Sequence, residues 1–281
     1  MRPTPTDTSR NTLMTFNTFT RIALAAATLV AASAHAAPLQ NGSFSAGLSN
    51  WTTVGDVAVL TGSAAGNDFG STPTLVLGTA SLTNQNDEPA AAGAYNVSGT
   101  SATLAAQADG AEVNLGLSTS AFASSLGADN AVEASSAAQS FFVQAGDTIS
   151  FTWQVLTRDG YAGSGDVASD SAWVSFSQAA VPQLAPTVTQ TLLGNIGNLA
   201  LSAANADGWR TTDVNTFTFT ATGGTARLGW GVADLGDATG TTLLAIRNVT
   251  VQAAPVPEPA SVALLLAALA LIGLRTLRRT H

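Results

Sequence analysis

Ile149-Ser150-Phe151-Thr152-Trp153-Gln154-Val155 alternates large apolar and polar side chains at period two, which describes a strand with one buried and one wet face. Working outward, the same period returns. Phe217 and Phe219 alternate with Thr216, Thr218 and Thr220, and Leu228, Trp230 and Val232 alternate with Arg227, Gly229 and Gly231. Ala172, Val174 and Phe176 alternate with Ser171, Ser175 and Ser177, which turns the intervening Trp173 outward. Turn formers separate the runs at Ala145-Gly146-Asp147, Asp159-Gly160, Asp207-Gly208, Gly223-Gly224 and Gly236-Asp237. Many short strands without long helices between them predict an all-β fold, a jelly-roll-like antiparallel β-sandwich. Residues 80–138 break the pattern. They are rich in Ala, Ser, Asn and Gly and read mostly as loop, with a short helix over 118–126.

Composition narrows the chemistry. The chain has 281 residues, 26 Gly, 10 Pro, no Cys and a formal net charge of −8, and it is 46% hydrophobic but only 10% charged. That length suits one domain with a substantial core. The missing cysteine excludes a disulfide scaffold, a zinc finger and a thiol enzyme. There is no Lys, and six of the ten Arg lie in the two terminal segments. Between them, residues 37–254 hold sixteen acids and four Arg, a net charge of −12. Such a body repels phosphate backbones and anionic lipid, so nucleic acid is not an expected partner. His35 and His281 fall outside it. A body without His, Cys or Lys cannot host a Ser-His-Asp triad, a Schiff-base lysine or a His-ligated metal. Carboxylate chemistry stays open, but no local pattern among Glu88, Glu112, Glu133 and the thirteen Asp marks the facing pair a glycosidase needs. The body reads as non-enzymatic, with a carboxylate-dependent polysaccharide hydrolase as an outside alternative.

The two ends read as addresses. Arg10 and Arg21 precede an apolar run from Ile22 to Ala32, and Ala34-His35-Ala36 follows. A basic start, an apolar stretch and a small-x-small site make a secretory signal peptide over residues 1–36, cleaved to leave Ala37 first and implying the Sec export machinery. Met14 is an alternative start, since the segment before it is polar. Residues 255–281 open with Pro255-Val256-Pro257-Glu258-Pro259, an extended spacer that joins neither sheet nor helix. The apolar run 262–274 would be about 20 Å long as a helix, short for a hydrocarbon core of about 30 Å. Residues 260–277 make a marginal transmembrane span if Arg275 snorkels. Arg275, Arg278 and Arg279 would hold that end in the cytoplasm and leave the body outside.

Pro257-Glu258-Pro259 within VPEPAS, the Ala/Leu-rich run and the terminal Arg cluster together resemble the PEP-CTERM sorting signal of exported bacterial proteins. The resemblance implies recognition by an exosortase, transient anchoring in the inner membrane, and release or transfer to the cell surface of an exopolysaccharide-forming bacterium. The body is similar to carbohydrate-binding-module-like jelly rolls. The residues carrying this are Asn41-Gly42-Ser43-Phe44 with Gly47-Leu48 and Trp51, the runs 142–153 and 170–175, and the closing Leu244-Ala245-Ile246-Arg247-Asn248-Val249-Thr250-Val251. Such modules often hold a structural calcium ion between a carboxylate after the opening Phe and another before the closing Asn-Val. Those positions are Ser45 and Arg247 here, so that site is expected to be missing, with Arg247 standing in for the ion's charge.

The remaining candidates are three. Trp173, out of phase, and Trp209, beside a turn, are the best placed of the five tryptophans for a sugar platform, although core or rim packing is the favoured reading for each. Asp159, Asp166 and Asp170 in RDGYAGSGDVASD are possible Ca²⁺ ligands, with a solvated loop favoured; Asp234, Asp237 and Thr239 make a weaker case. Thr216, Thr218, Thr220 and Thr222 line one strand face as ice-binding surfaces do, but on a single strand, where β-propensity suffices. The whole reads as an exported, exosortase-sorted surface protein, structural in an exopolysaccharide or biofilm layer, with a lectin-like module as the first alternative.

Overall fold

The computed structural model describes residues 38–82, 95–104, 108–118, 120–126, 131–160, 170–179, 187–235 and 240–255. Two long strands organise them. β7 (Ala131–Thr157) and β11 (Asn215–Leu235) pair antiparallel from Asn215 opposite Trp153 to Leu235 opposite Ala131. Midway the register shifts between Thr220 and Thr222, where Gly146, Gly223 and Gly224 take φ values of 90°, 96° and 102°. Ala145-Gly146-Asp147 and Gly223-Gly224 are therefore not the turns expected. They lie inside continuous strands: Gly146 and Asp147 form a bulge on β7 opposite the single residue Ala221, and Gly223-Gly224 pairs just beyond it, where the two strands bend together. Asp147 fastens the bend: its carboxylate accepts from Gln144 N at 2.8 Å and from Ala254 N at 3.0 Å. Asp159-Gly160 and Asp207-Gly208 are turns; Gly236-Asp237 lies outside the described residues.

The bent β7–β11 pair is shared by two layers. Its half nearer Ala131 pairs with β8 (Ser171–Ala179), which carries β9 (Thr187–Asn195), and on the other side with the short β1 (Thr52–Val54) and β6 (Thr103–Leu104). Its other half pairs with β10 (Arg210–Thr211) and β12 (Thr242–Gln252), followed by β5 (Thr74–Gly78) and β2 (Asp56–Leu60). Every pairing is antiparallel. The inner faces close on one core: Phe141, Leu228, Trp230 and Val174 from the first layer meet Ile149, Phe151, Val155, Leu77 and Ile246 from the second. Phe151 meets Trp230 edge-on across the layers, centroids 5.2 Å apart at 78°. Burying each such side chain contributes about 1.5–3 kcal/mol. This is the expected jelly-roll-like antiparallel β-sandwich.

The outer faces differ. Helices α1 (Ala108–Asn114) and α2 (Ala121–Leu126) cover the first layer, setting Ala111, Leu115 and Phe122 on Ala134, Ala138, Ala233 and Trp173. The described residues of 80–138 hold more regular structure than expected: a helix is present at 121–126, 108–114 is a second helix, and 131–138 opens β7. Glycines of β11 allow the helices to pack closely: a Cβ on Gly229 would lie 2.5 Å from Leu115 and one on Gly231 2.7 Å from Phe122. Arg227 closes the C-terminal end of α1, donating from Nε to the Asn114 carbonyl at 2.9 Å and from Nη2 to Asn114 Oδ1 at 3.0 Å. On the second layer Phe69 and Trp209 cover Val76, Leu156, Leu243 and Ala245. On the other half of that face Thr216, Thr218, Thr220 and Thr250 are exposed, and no described helix or loop covers them.

Candidate functional site

A groove of about 670 Å³ opens at the covered end of the second layer. One wall is the hairpin of β3 (Ser63–Ala64) and β4 (Asn67–Asp68), and the other is the turn holding Asn205 and Asp207. Ala65 takes φ 48° and Gly66 φ 72°, which lets the hairpin close in two residues. Asn205 ties the walls. Its Oδ1 accepts from Asp207 N at 3.0 Å and Trp209 N at 2.9 Å, while its Nδ2 donates to the Gly66 carbonyl at 3.4 Å. Asp68 Oδ1 accepts from Gly70 N at 2.9 Å. Gly66 lies on the Trp209 indole, where a Cβ would come within 2.7 Å of Nε1. Asn67 is buried and donates from Nδ2 to the Ala65 carbonyl at 2.9 Å, so the groups presented to solvent are the two exposed carboxylates of Asp68 and Asp207, which accept hydrogen bonds from hydroxyl-bearing ligands. Sequence reading pointed to this turn only through Asp207-Gly208 and Trp209. The facing Asn67-Asp68 is more than a hundred residues away and has no local signature.

The tryptophan platforms are corrected. Trp173 and Trp209 are each 1% exposed. Trp173 does leave the main core, as its phase demands, but Phe122 stacks on it at 5.6 Å. Trp209 takes the edge of Tyr95 at 5.4 Å and 85°. Neither offers a free ring face. Trp153 and Trp230 pack in the core, as their phase indicates.

Three of the acidic candidates, Asp159, Asp170 and Asp234, are buried rather than solvated. Asp159 and Asp170 are 2% and 0% exposed and adjacent, with Asp170 N donating to Asp159 Oδ2 at 3.3 Å. Arg210 Nη2 donates to the Asp159 carbonyl at 2.6 Å. Glu133 and Asp234, both buried, are register partners on β7 and β11. Glu112 is buried as well, and its Oε1 accepts from Phe122 N at 2.8 Å at the start of α2. Among the described residues no three acids, His or Cys are arranged to hold a metal ion. Asp166, Asp237, Thr239 and Glu88 lie outside them. Ser45 is exposed on the opening turn, hydrogen-bonded to Ser43 at 3.2 Å. Arg247 donates to Thr74 Oγ1 at 2.7 Å and the Phe69 carbonyl at 3.1 Å, gathering oxygens of the 69–74 loop around its charge.

Ala34, Ala36 and Ala37, the tripeptide Pro257, Glu258 and Pro259, and Arg275, Arg278 and Arg279 lie outside the described residues, as does the apolar run 262–274. Among the described residues no helix is long and apolar enough to cross a membrane. Ahead of the C-terminal segment, β12 runs to Gln252 in the second layer, and Asp147 holds Ala254.

Residues 255–279 match the family described as the PEP-CTERM protein-sorting motif. That motif identifies an exported protein sorted by an exosortase. No protein of curated function matches the chain. Among solved structures, a carbohydrate-binding module in complex with β-1,4-galactotriose is similar at 10% identity and TM-score 0.35, covering 76% of this chain and 95% of that one. Carbohydrate-binding modules of the β-sandwich superfamily are similar at 12% identity and TM-score 0.35, covering 76% and 62%. The K3 cleaved adhesin domain of Lys-gingipain from Porphyromonas gingivalis is similar at 11% identity and TM-score 0.37, covering 78% and 99%. At these scores the likeness carries neither ligand nor activity to this chain.

Proposed function

We propose that this chain is a non-catalytic component of an exopolysaccharide layer, anchored transiently in the inner membrane through residues 260–277 and then presented at the cell surface. The observation that carries this reading is the sorting motif at residues 255–279, joined directly to the last strand of the sandwich. An acidic body with no His, Cys or Lys is also suited to a structural role rather than to nucleophilic catalysis. The test is the intact mass and location of the protein recovered from its host. A species lacking residues 1–36 and the segment beyond Pro-Glu-Pro, found outside the inner membrane, is expected. A full-length C-terminus retained in the inner membrane overturns the reading.

A lectin-like role is favoured by one observation, the Asn67, Asp68, Asn205 and Asp207 groove. The exposed carboxylates of Asp68 and Asp207 on opposed walls can bracket vicinal hydroxyls. Calorimetry with short oligosaccharides, comparing the parent with the Asp68→Ala/Asp207→Ala double variant, tests it: binding lost only in the variant supports the groove. Release of reducing ends from host polysaccharide, abolished by a single Asp→Asn change, would instead make the protein a hydrolase.

A further inference from the structure

The open half of the second layer carries an ordered array of hydroxyl groups that no single strand reveals. Register places Thr218, Ser150 and Thr250 side by side on β11, β7 and β12. Thr216 lies beside Thr152 on one flank of this row, and Thr220 beside Thr148 on the other. The β11 threonines and Thr250 are exposed, and the β7 members are half-exposed. Seven hydroxyls thus repeat at about 6.7 Å along the strands and about 4.8 Å across them. Their opposite faces are held in the core through Phe217, Phe219, Ile149 and Phe151, so the array is backed by packed side chains. Ser150 and Thr250 are mutually hydrogen-bonded at 2.9 Å, which orders the centre.

We infer that this face is where the protein contacts a neutral polysaccharide chain. The inference rests on the proposed place in a polysaccharide layer. Charge selects the partner. Residues 37–254 carry a net charge of −12, yet none of their sixteen acids lies in the array. Arg247, at its margin, is turned to Thr74 and Phe69. An anionic chain is repelled by the field of the body, and the array itself carries no carboxylate to pair with a cationic one at contact, whatever the long-range attraction; a neutral polyol exchanges hydrogen bonds with hydroxyls that both donate and accept. Chain geometry agrees. Gln252 pairs with Thr148 at the edge of the array, three residues before Pro255, so the face borders the point where the sorting segment leaves the body. The twist between adjacent strands, about 20–25° each, suits a flexible polymer better than the flat lattice of ice.

The test is retention of the full-length chain, in mild detergent, on amorphous cellulose and on insoluble polysaccharide from its host, at low and high salt. Two variants are compared with the parent: Thr148→Val/Thr218→Val/Thr250→Val, which keeps β-branched shape while removing hydroxyls, and the single Thr218→Glu. Both should keep the parent's circular dichroism, because the sites are at the surface. About tenfold weaker retention in each, with little salt dependence in the parent, is expected. Parent retention unchanged by either variant but lost in Asp68→Ala/Asp207→Ala overturns the face and leaves the layer reading standing. No retention of the parent on either matrix overturns both. Inhibition of ice recrystallisation by the parent, lost in the triple variant, would reassign the array to ice.

Discussion

Phe122 stacks on Trp173 with ring centroids 5.6 Å apart and 29° between the planes, and this contact roofs the outer face of the first layer. The out-of-phase tryptophan is thereby core to a second, smaller cluster. Phe122→Ala should cost about 3–5 kcal/mol, since it leaves a cavity under a short helix with few other anchors. Urea unfolding measures the loss. Trp173 should also become accessible to a fluorescence quencher; unchanged quenching would mean that α2 does not shield it.

Arg227 anchors the neighbouring helix from below. Its guanidinium reaches the last residue of α1, and burial pushes its pKa below the usual arginine value. A base with a depressed folded-state value gains stability only as pH rises through the strongly alkaline range, so this group leaves stability flat at neutral pH. Arg227→Met should cost about 1–2 kcal/mol through the unpaired Asn114 carbonyl. Hydrogen exchange should accelerate in residues 108–114 before it does in β7.

The bend in the β7–β11 pair makes a different demand. Gly223 sits at φ 96°, and a Cβ there would lie 3.0 Å from Ala145 N. Gly223→Ala combines an unfavourable backbone region with a tight contact, and should cost more than about 1 kcal/mol. The urea midpoint should fall with an unchanged slope, because the core beyond the bend stays intact.

Asp147 joins that bend to the last described residues by accepting from both Gln144 N and Ala254 N. Asp147→Ala leaves two amides without this partner, and a loss of about 1–3 kcal/mol is expected. Limited proteolysis should show earlier cleavage around 253–255 in the variant. Equal cleavage rates would show that the carboxylate does not restrain the exit of the C-terminal segment.

Gly66 tests the groove without touching its polar walls. At φ 72° with Trp209 Nε1 2.7 Å from a would-be Cβ, Gly66→Ala must shift either the hairpin or the indole. Melting should move down by several degrees for a cost of about 1–2 kcal/mol, with a change in tryptophan emission reporting the displaced ring.

Alternation was readable wherever one face of a strand is buried and the other wet. Ile149 to Val155 and the two phenylalanines of β11 lie as their period dictates, because a strand's side chains must alternate. Leu228, Trp230 and Val232 also face the main core, but the expected wet face at Gly229 and Gly231 is buried under Leu115 and Phe122. The sorting motif was equally plain, since a proline-rich spacer, an apolar run and an arginine cluster are adjacent in the chain. Tertiary structure decided the rest. Whether Gly146 and Gly223 close turns or bend strands depends on what each faces, and they face each other's strands. Whether Trp173 and Trp209 are exposed depends on Phe122, Tyr95 and Gly66, all distant in sequence. The same holds for the hydroxyl array, which read along one strand as ordinary β-propensity and became a surface only when register set Ser150 and Thr250 beside Thr218. Period is a property of neighbours along the chain, whereas burial and surface chemistry belong to neighbours across it.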